Sequence, residues 1–279
     1  MMDARIGYFT LEDQTRLHYQ HWIPASPKGV VLLVHGAGEH CGRYGPFAHY
    51  FLDHNFIVAL YDQRGHGKSE GKRVGPTFST LVDDLEQYAR FTRETFSDVR
   101  QYFLVGHSLG GEVVLHFMAY HPIWFQAFAV SSPNIANSLP IPDWKIRFTK
   151  KICKVWPSFP IRSGVKPEML SHDRGVVEAY RKDPLVFKYV SAHFGNEILH
   201  HQNEVLPALP TMIESPGLFL HGTSDAICSW RATEMFYQKV SFFDKRLRLF
   251  EGCYHELLNE VEKENVFEEI YHWFEAHFH

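Results

Sequence analysis

Residues 102–111 read Tyr-Phe-Leu-Val-Gly-His-Ser-Leu-Gly-Gly, and "EVVLHFMAY" follows at 112–120. The first four residues are a short apolar run of the kind that forms a covered strand. The segment after the knot is helical in character. Gly106-His107-Ser108-Leu109-Gly110 therefore sits on a strand-to-helix turn, where a Gly-x-Ser-x-Gly match acquires meaning. A turn this tight strains the serine backbone and exposes its hydroxyl at the C-terminal edge of a sheet. The flanking glycines leave room for neighbouring backbone to approach. Ser108 is the candidate nucleophile. The alternative is a glycine-rich turn without chemistry, which the strand-turn-helix context argues against.

Working outward, the same alternation recurs. "RIGYFT" and "RLHYQHW" alternate apolar and polar residues, as an edge hairpin does. "GVVLLVHG" and "FIVALYD" are continuous apolar runs, expected of strands covered on both faces. Leu81, Leu85, Tyr88 and Phe91 form a helical stripe behind a Ser/Thr cap. The rhythm breaks after Pro133 and resumes at "GLFLHG" (217–222), "RATEMFYQKV", "KRLRLFEG" (245–252) and "VFEEIYHWFEAHF". The expected architecture is a mostly parallel, doubly wound α/β sheet with a helical insertion. Its core comprises residues 1–133 and 210–279, and a cap covers 134–209.

The bulk numbers agree. The chain has 279 residues, a formal net charge of -4 and 22% charged residues. That length suits one α/β unit with an insertion, and nothing in the charge points to nucleic acid as a partner. Cys41, Cys153, Cys228 and Cys253 match neither zinc-site nor disulfide spacing, and are expected as free thiols. No leader pattern or long apolar span is visible, so a cytoplasmic protein is expected. No metal-ligand helix, phosphate loop or dinucleotide fingerprint appears, so neither metal nor cofactor is expected.

A serine hydroxyl needs a base to take its proton. In this architecture the order is serine, acid, histidine, each just past a strand. Asp225 follows the strand ending at Gly222, and His255 follows the one ending at Gly252. Asp244 is the rival acid, but it precedes its strand and so lies on the wrong edge. The oxyanion donors are expected to be the N–H groups of Leu109, after the nucleophile, and Ala37, in the "HGAG" turn. The "DQRGHGKSEG" loop (62–71) reads as a hydrogen-bonded buttress. In "WKIRFTKKICKVW" (144–156), Trp144, Phe148, Ile152 and Val155 share one helical face, with Arg147, Lys150, Lys151 and Lys154 elsewhere. The favoured reading is a cap helix whose apolar face covers an acyl pocket. Peripheral contact with an anionic membrane is the alternative, and the two are compatible.

These motifs, with "HGAGEHCGRY", "LHGTSDAICS", "EGCYHELLNE" and "MLSHDRGVVEAYRKDPL", make nearly the whole chain resemble the α/β-hydrolase family, within it the monoacylglycerol lipase and lysophospholipase group. The resemblance implies an α/β-hydrolase fold and a triad of Ser108, Asp225 and His255. It also implies a polar head-group pocket shaped by Glu39, Arg43 and Tyr180. The implied substrate is a single-chain lipid ester, most simply monoacylglycerol, cleaved to fatty acid and glycerol. A lysophospholipase or general carboxylesterase is the alternative, and a non-catalytic lipid-binding relative is disfavoured because every triad member is present. Cys228 lies where animal relatives also carry a cysteine. One position departs: those lipases have a second histidine three residues after the catalytic one, and this chain has Leu258.

Overall fold

A computed structural model describes residues 4–71, 75–138 and 141–278. Among the described residues eight strands form one sheet: β1 (Arg5–Thr10), β2 (Arg16–Trp22), β3 (Gly29–Val34), β4 (Phe56–Tyr61), β5 (Tyr102–His107), β6 (Ala127–Ser131), β9 (Gly217–Gly222) and β10 (Lys245–Phe250). Their spatial order is β1-β2-β4-β3-β5-β6-β9-β10. The alternating N-terminal pair is the antiparallel edge hairpin, with Arg5 opposite His21 and Thr10 opposite Arg16. From β4 onward the strands run parallel. Every residue of β3, β4 and β5 is buried, which is why these strands read as unbroken apolar runs.

Helices cover both faces. α1 (Gly45–Asp53) and α8 (Lys263–Glu275) pack Phe47, Phe51, Phe267 and Ile270 on one side. α2 (Phe78–Thr95), α3 (Leu109–Tyr120) and α7 (Trp230–Lys239) pack Leu85, Val113, Phe117 and Phe236 on the other. Thr77 caps α2 by accepting from the Thr80 N–H. The chain leaves β3 in one direction, to β4, and then returns past it to β5. This reversal opens a crevice at the C-terminal ends of β3 and β5, where ligands of open α/β sheets bind. His35-Gly36-Ala37 and Ser108 both lie there.

The segment 134–209 holds α4 (Asp143–Val155), α5 (Arg174–Lys182) and α6 (Ala192–His200). It also contains a small two-stranded antiparallel sheet, β7 (Pro160–Arg162) with β8 (Tyr189–Ser191), whose strands are separated in sequence by α5. Three residues per strand, largely exposed, leave no apolar run in the sequence, so only helices were legible there. The segment is tied across the crevice. Phe187 N–H donates to Gly38 O at 3.0 Å, Glu256 N–H to Leu170 O at 2.8 Å, and His40 Nε2 meets Asp183 Oδ2 at 2.8 Å.

The glycines flanking Ser108 are required by close approach. A Cβ on Gly110 would lie 2.2 Å from Val34 O and 2.5 Å from His35 O, and one on Gly106 would lie 2.5 Å from Gly110 O. These are backbone atoms of buried elements and cannot yield cheaply. Gly110→Ala is expected to lose about 3 kcal/mol or more, lowering the urea midpoint by on the order of 1 M. Gly45→Ala is the control, because nothing lies within 4 Å of its added Cβ and its φ is already helical. It should be neutral or slightly stabilising. Equal urea midpoints for the two variants would overturn this account of the turn.

Candidate active site

Ser108 heads α3 with φ 53° and ψ −117°, a left-handed conformation that costs a non-glycine residue about 1–3 kcal/mol. Its backbone is held on three sides. Ser108 N–H donates to Ser131 O at 3.0 Å, and the N–H groups of Glu112 and Asn134 donate to Ser108 O at 3.1 and 3.0 Å. The hydroxyl is thereby aimed at His255, whose Nε2 lies 3.0 Å from Ser108 Oγ. The other ring nitrogen, Nδ1, lies 2.7 Å from Asp225 Oδ2. The three side chains come from the ends of β5, β9 and β10, so the sheet itself sets their spacing.

Asp225 is anchored more fully than the sequence suggested. Its Oδ1 accepts from the N–H groups of Ile227 and Cys228 at 2.7 and 2.9 Å. Its Oδ2 is shared between His255 and His221 Nε2, the latter at 3.1 Å. His221 Nδ1 is in turn 2.9 Å from Thr233 Oγ1. His221 stands four residues before the acid on a buried strand, and that placement was the available signal. Burial alone would raise the Asp225 carboxyl, but the charge that His255 can carry, and the hydrogen bonds from His221 and His255, hold it well below the usual carboxylate range. For His255, burial opposes protonation, yet the neighbouring Asp225 carboxylate outweighs it and raises the ring above its ordinary value. The rival Asp244 pairs with His277 at 2.9 Å instead.

The "HGAG" turn packs against the serine: a Cβ on Gly36 would lie 3.1 Å from Ser108 Cβ. Among the described residues, no acceptor takes the N–H of Ala37 or of Leu109, the first residue of α3. Both residues line the pocket in front of Ser108. The "DQRGHG" loop stands behind this turn, as expected of a buttress. Gln63 N–H donates to His35 Nε2 at 2.9 Å, Gln63 Nε2 to His35 O at 2.6 Å, and Arg64 clasps Asp84 at 2.6 and 2.9 Å.

The pocket encloses about 1130 Å³, counting the open space at its mouth. The segment 134–209 lines it with aliphatic side chains, Ile146, Ile161, Val165, Leu170, Val190 and Ile198 among them. Its polar wall carries Glu39, Tyr180 and Glu256. Glu39 Oε1 accepts from Gly36 N–H and Tyr44 O–H, each at 2.6 Å. Arg43 Nη1 donates to Glu39 Oε2 at 2.5 Å. Burial pushes the Glu39 carboxyl up, but Arg43 overrides it and holds it at about 2. The Arg43 guanidinium also lies 4.8 Å from the Tyr180 ring centre, and burial pushes that phenol up to about 12. Glu39, Arg43 and Tyr180 are thus brought together. Glu256 was missed by the sequence reading, although it directly follows His255. Leu258 is 1% exposed and packs in the core beneath the sheet, away from the pocket.

α4 corrects one expectation. Trp144, Phe148 and Val155 are 69%, 44% and 81% exposed, so their stripe does not cover the pocket. Ile146 and Thr149, on the opposite side of the helix, face the pocket instead. The bulky apolar stripe of α4 therefore faces outward, while Ile146 and the smaller Thr149 face the pocket.

Two clusters have metal-ligand composition among the described residues: Asp225, Cys228 and His255, and His18, Cys41 and Asp62. In both, hydrogen bonds already occupy the carboxylate. Asp62 accepts from the N–H groups of Cys41 and Lys68, each at 2.8 Å. Burial pushes the Cys41 and Cys228 thiols well above their ordinary values, so they stay protonated. Burial also raises the Cys253 thiol, to about 11, which leaves little thiolate to oxidise beside His255.

A family model described as Serine aminopeptidase, S33 (Hydrolase_4) matches residues 25–262. The chain belongs to this α/β-hydrolase family. Mouse monoglyceride lipase is 32% identical over 267 residues, covering 94% of this chain and 87% of the mouse protein. The crystal structure of Paleococcus ferrophilus monoacylglycerol lipase superposes with a TM-score of 0.83 at 28% identity, covering 99% of this chain and 100% of that one. An uncharacterised abhydrolase domain-containing protein of Dictyostelium discoideum is 32% identical over 98% of this chain, which spans 29% of that protein's length. This α/β-hydrolase is a serine ester hydrolase.

Proposed function

We propose that the enzyme cleaves single-chain lipid esters, monoacylglycerol foremost, through an acyl-enzyme on Ser108. The observation that carries this is the Ser108–His255–Asp225 relay opening into a pocket that is aliphatic along one stretch and polar along another. An acyl chain lies among Ile146, Val165 and Ile198, under residues 134–209 acting as a cap on a core of 1–133 and 210–279. The alcohol lies against Glu39 and Tyr180, with Arg43 behind them. Ser108 Oγ attacks the ester carbonyl while His255 Nε2 takes its proton. The oxyanion is held by the N–H groups of Ala37 and Leu109. His255 returns the proton to the leaving alcohol, then takes one from the water that attacks the acyl-enzyme. Asp225 keeps the ring oriented and stabilises its charged form. The products are a fatty acid, the alcohol and regenerated serine. The similarity to proteins named monoglyceride or monoacylglycerol lipase supports the substrate class.

Side-by-side kcat/KM values for 1-oleoylglycerol, oleoyl lysophosphatidylcholine and p-nitrophenyl butyrate test the assignment. The monoacylglycerol is expected to lead. A lead by lysophosphatidylcholine would make the enzyme a lysophospholipase, and a lead by the short ester would make it a general carboxylesterase.

The outward stripe of α4 serves delivery of substrate from a membrane surface. Trp144, Phe148 and Val155 are exposed beside Arg147, Lys150, Lys151 and Lys154, a pattern that seats in the interface of an anionic bilayer. No helix among the described residues is long and apolar enough to cross a membrane. Burying each large side chain is worth roughly 1.5–3 kcal/mol. Trp144→Ala with Phe148→Ala is therefore expected to lower partitioning onto phosphatidylserine-containing vesicles at least tenfold by flotation. Undiminished partitioning would remove this role for α4.

A further inference from the structure

We propose that Glu256 sets the head-group specificity of the pocket, making its polar wall a buried site of net charge −1 that accepts an uncharged, hydroxyl-bearing alcohol and turns away a phosphate-bearing one. This rests on the reading above that the alcohol half of the ester lies against that wall.

Glu256 follows His255 directly, lines the pocket and is 3% exposed. It is rigidly placed. Its N–H is bonded to Leu170 O, and Oε2 accepts from Asn259 Nδ2 at 3.1 Å. Arg43 meets it bidentately, Nη1 to Oε1 at 2.6 Å and Nη2 to Oε2 at 2.7 Å. The same Nη1 also serves Glu39 Oε2. One guanidinium is thus spent on two carboxylates, and the wall carries one negative charge in excess.

Glu39 and Arg43 alone would make a neutral pair whose guanidinium kept donors for a phosphate. Glu256 reverses that conclusion, because it occupies the fork of donors that a phosphate would use. A phosphate would bring further negative charge beside two buried carboxylates, where repulsion is poorly screened. A hydroxyl is suited to the same wall. Carboxylate oxygens are acceptors only, and a glycerol head brings donors. The cations on the lining, Lys145 and Arg162, come from α4 and β7, the elements that also supply Ile146 and Ile161.

The test compares kcat/KM for 1-oleoylglycerol and for 1-oleoyl lysophosphatidic acid, which carries the same acyl-glycerol and one phosphate. Rates are normalised to active sites counted with a fluorophosphonate probe. The native enzyme should favour the neutral ester at least 100-fold. In Glu256→Gln that ratio should fall at least tenfold, with the rate on the phosphate ester rising in absolute terms, a gain that a damaged fold cannot produce. Glu256→Asp, which keeps the charge, should retain the native preference more closely. A wild-type measurement stands apart from any folding effect: an oleoyl ester of 3-trimethylammonio-1,2-propanediol should be cleaved far faster than the phosphate ester. The proposal is overturned if the two charged heads slow the enzyme equally, if phosphate is preferred, or if Glu256→Gln labels normally with its ratio unmoved. Absence of turnover on 1-oleoylglycerol itself would instead overturn the substrate reading, and this proposal with it.

Discussion

Ser108→Ala is expected to lower kcat/KM on a long-chain monoacylglycerol by on the order of 10⁵-fold while leaving the unfolding transition nearly in place. The size of the loss follows from what the hydroxyl does. On the proposed mechanism no acyl-enzyme forms without it, and His255 and the N–H groups of Ala37 and Leu109 would retain only the modest catalysis available through water. The fold should tolerate the change, because the strained backbone at Ser108 is held by Ser131, Glu112 and Asn134 through main-chain bonds that alanine preserves. Alanine retains the left-handed strain, so neither large stabilisation nor collapse is expected. A variant that keeps more than about one per cent of native activity would remove Ser108 from the reaction.

Asp225→Asn should cost about 10⁴-fold in kcat, and it should also move the pH profile. The amide keeps the shape, but it no longer favours the ring tautomer that leaves Nε2 free to take the Ser108 proton, nor does it stabilise the imidazolium. The direction of the pH change follows from the raised His255 ring. His255 must be neutral to act as base, so native activity falls as pH drops through a midpoint above the ordinary histidine value of about 6.5. Removing the carboxylate leaves burial as the main influence on the ring, and burial disfavours the charged form. The acid limb of the residual activity should therefore shift to lower pH. A limb that stayed put, or rose, would mean that His255 does not draw its elevated affinity for protons from Asp225.

The parts of this molecule that the sequence revealed are those where burial and backbone geometry leave a periodic or positional trace. β3, β4 and β5 are covered on both faces and so read as uninterrupted apolar runs. Ser108, Asp225 and His255 follow strand ends, and strand ends were visible. Glu256 left no such trace: a glutamate beside a histidine resembles any surface glutamate until Arg43 is seen to reach it from 213 positions away. The orientation of α4 was hidden for a different reason. Its apolar stripe suggests that Trp144 and Phe148 turn inward, and only packing shows that Ile146 and Thr149 face the pocket while Trp144 and Phe148 face outward. The β7–β8 pair is too short and too exposed to impose alternation.

The central claim is that Ser108 is the nucleophile of a site built for a single-chain lipid ester. It is tested most directly by mass analysis after reaction with a long-chain alkyl fluorophosphonate, with and without excess 1-oleoylglycerol. The account predicts one adduct per chain, on the peptide containing Ser108, formed more slowly when the monoacylglycerol competes. An adduct on another residue, or labelling that 1-oleoylglycerol leaves unchanged, would contradict it.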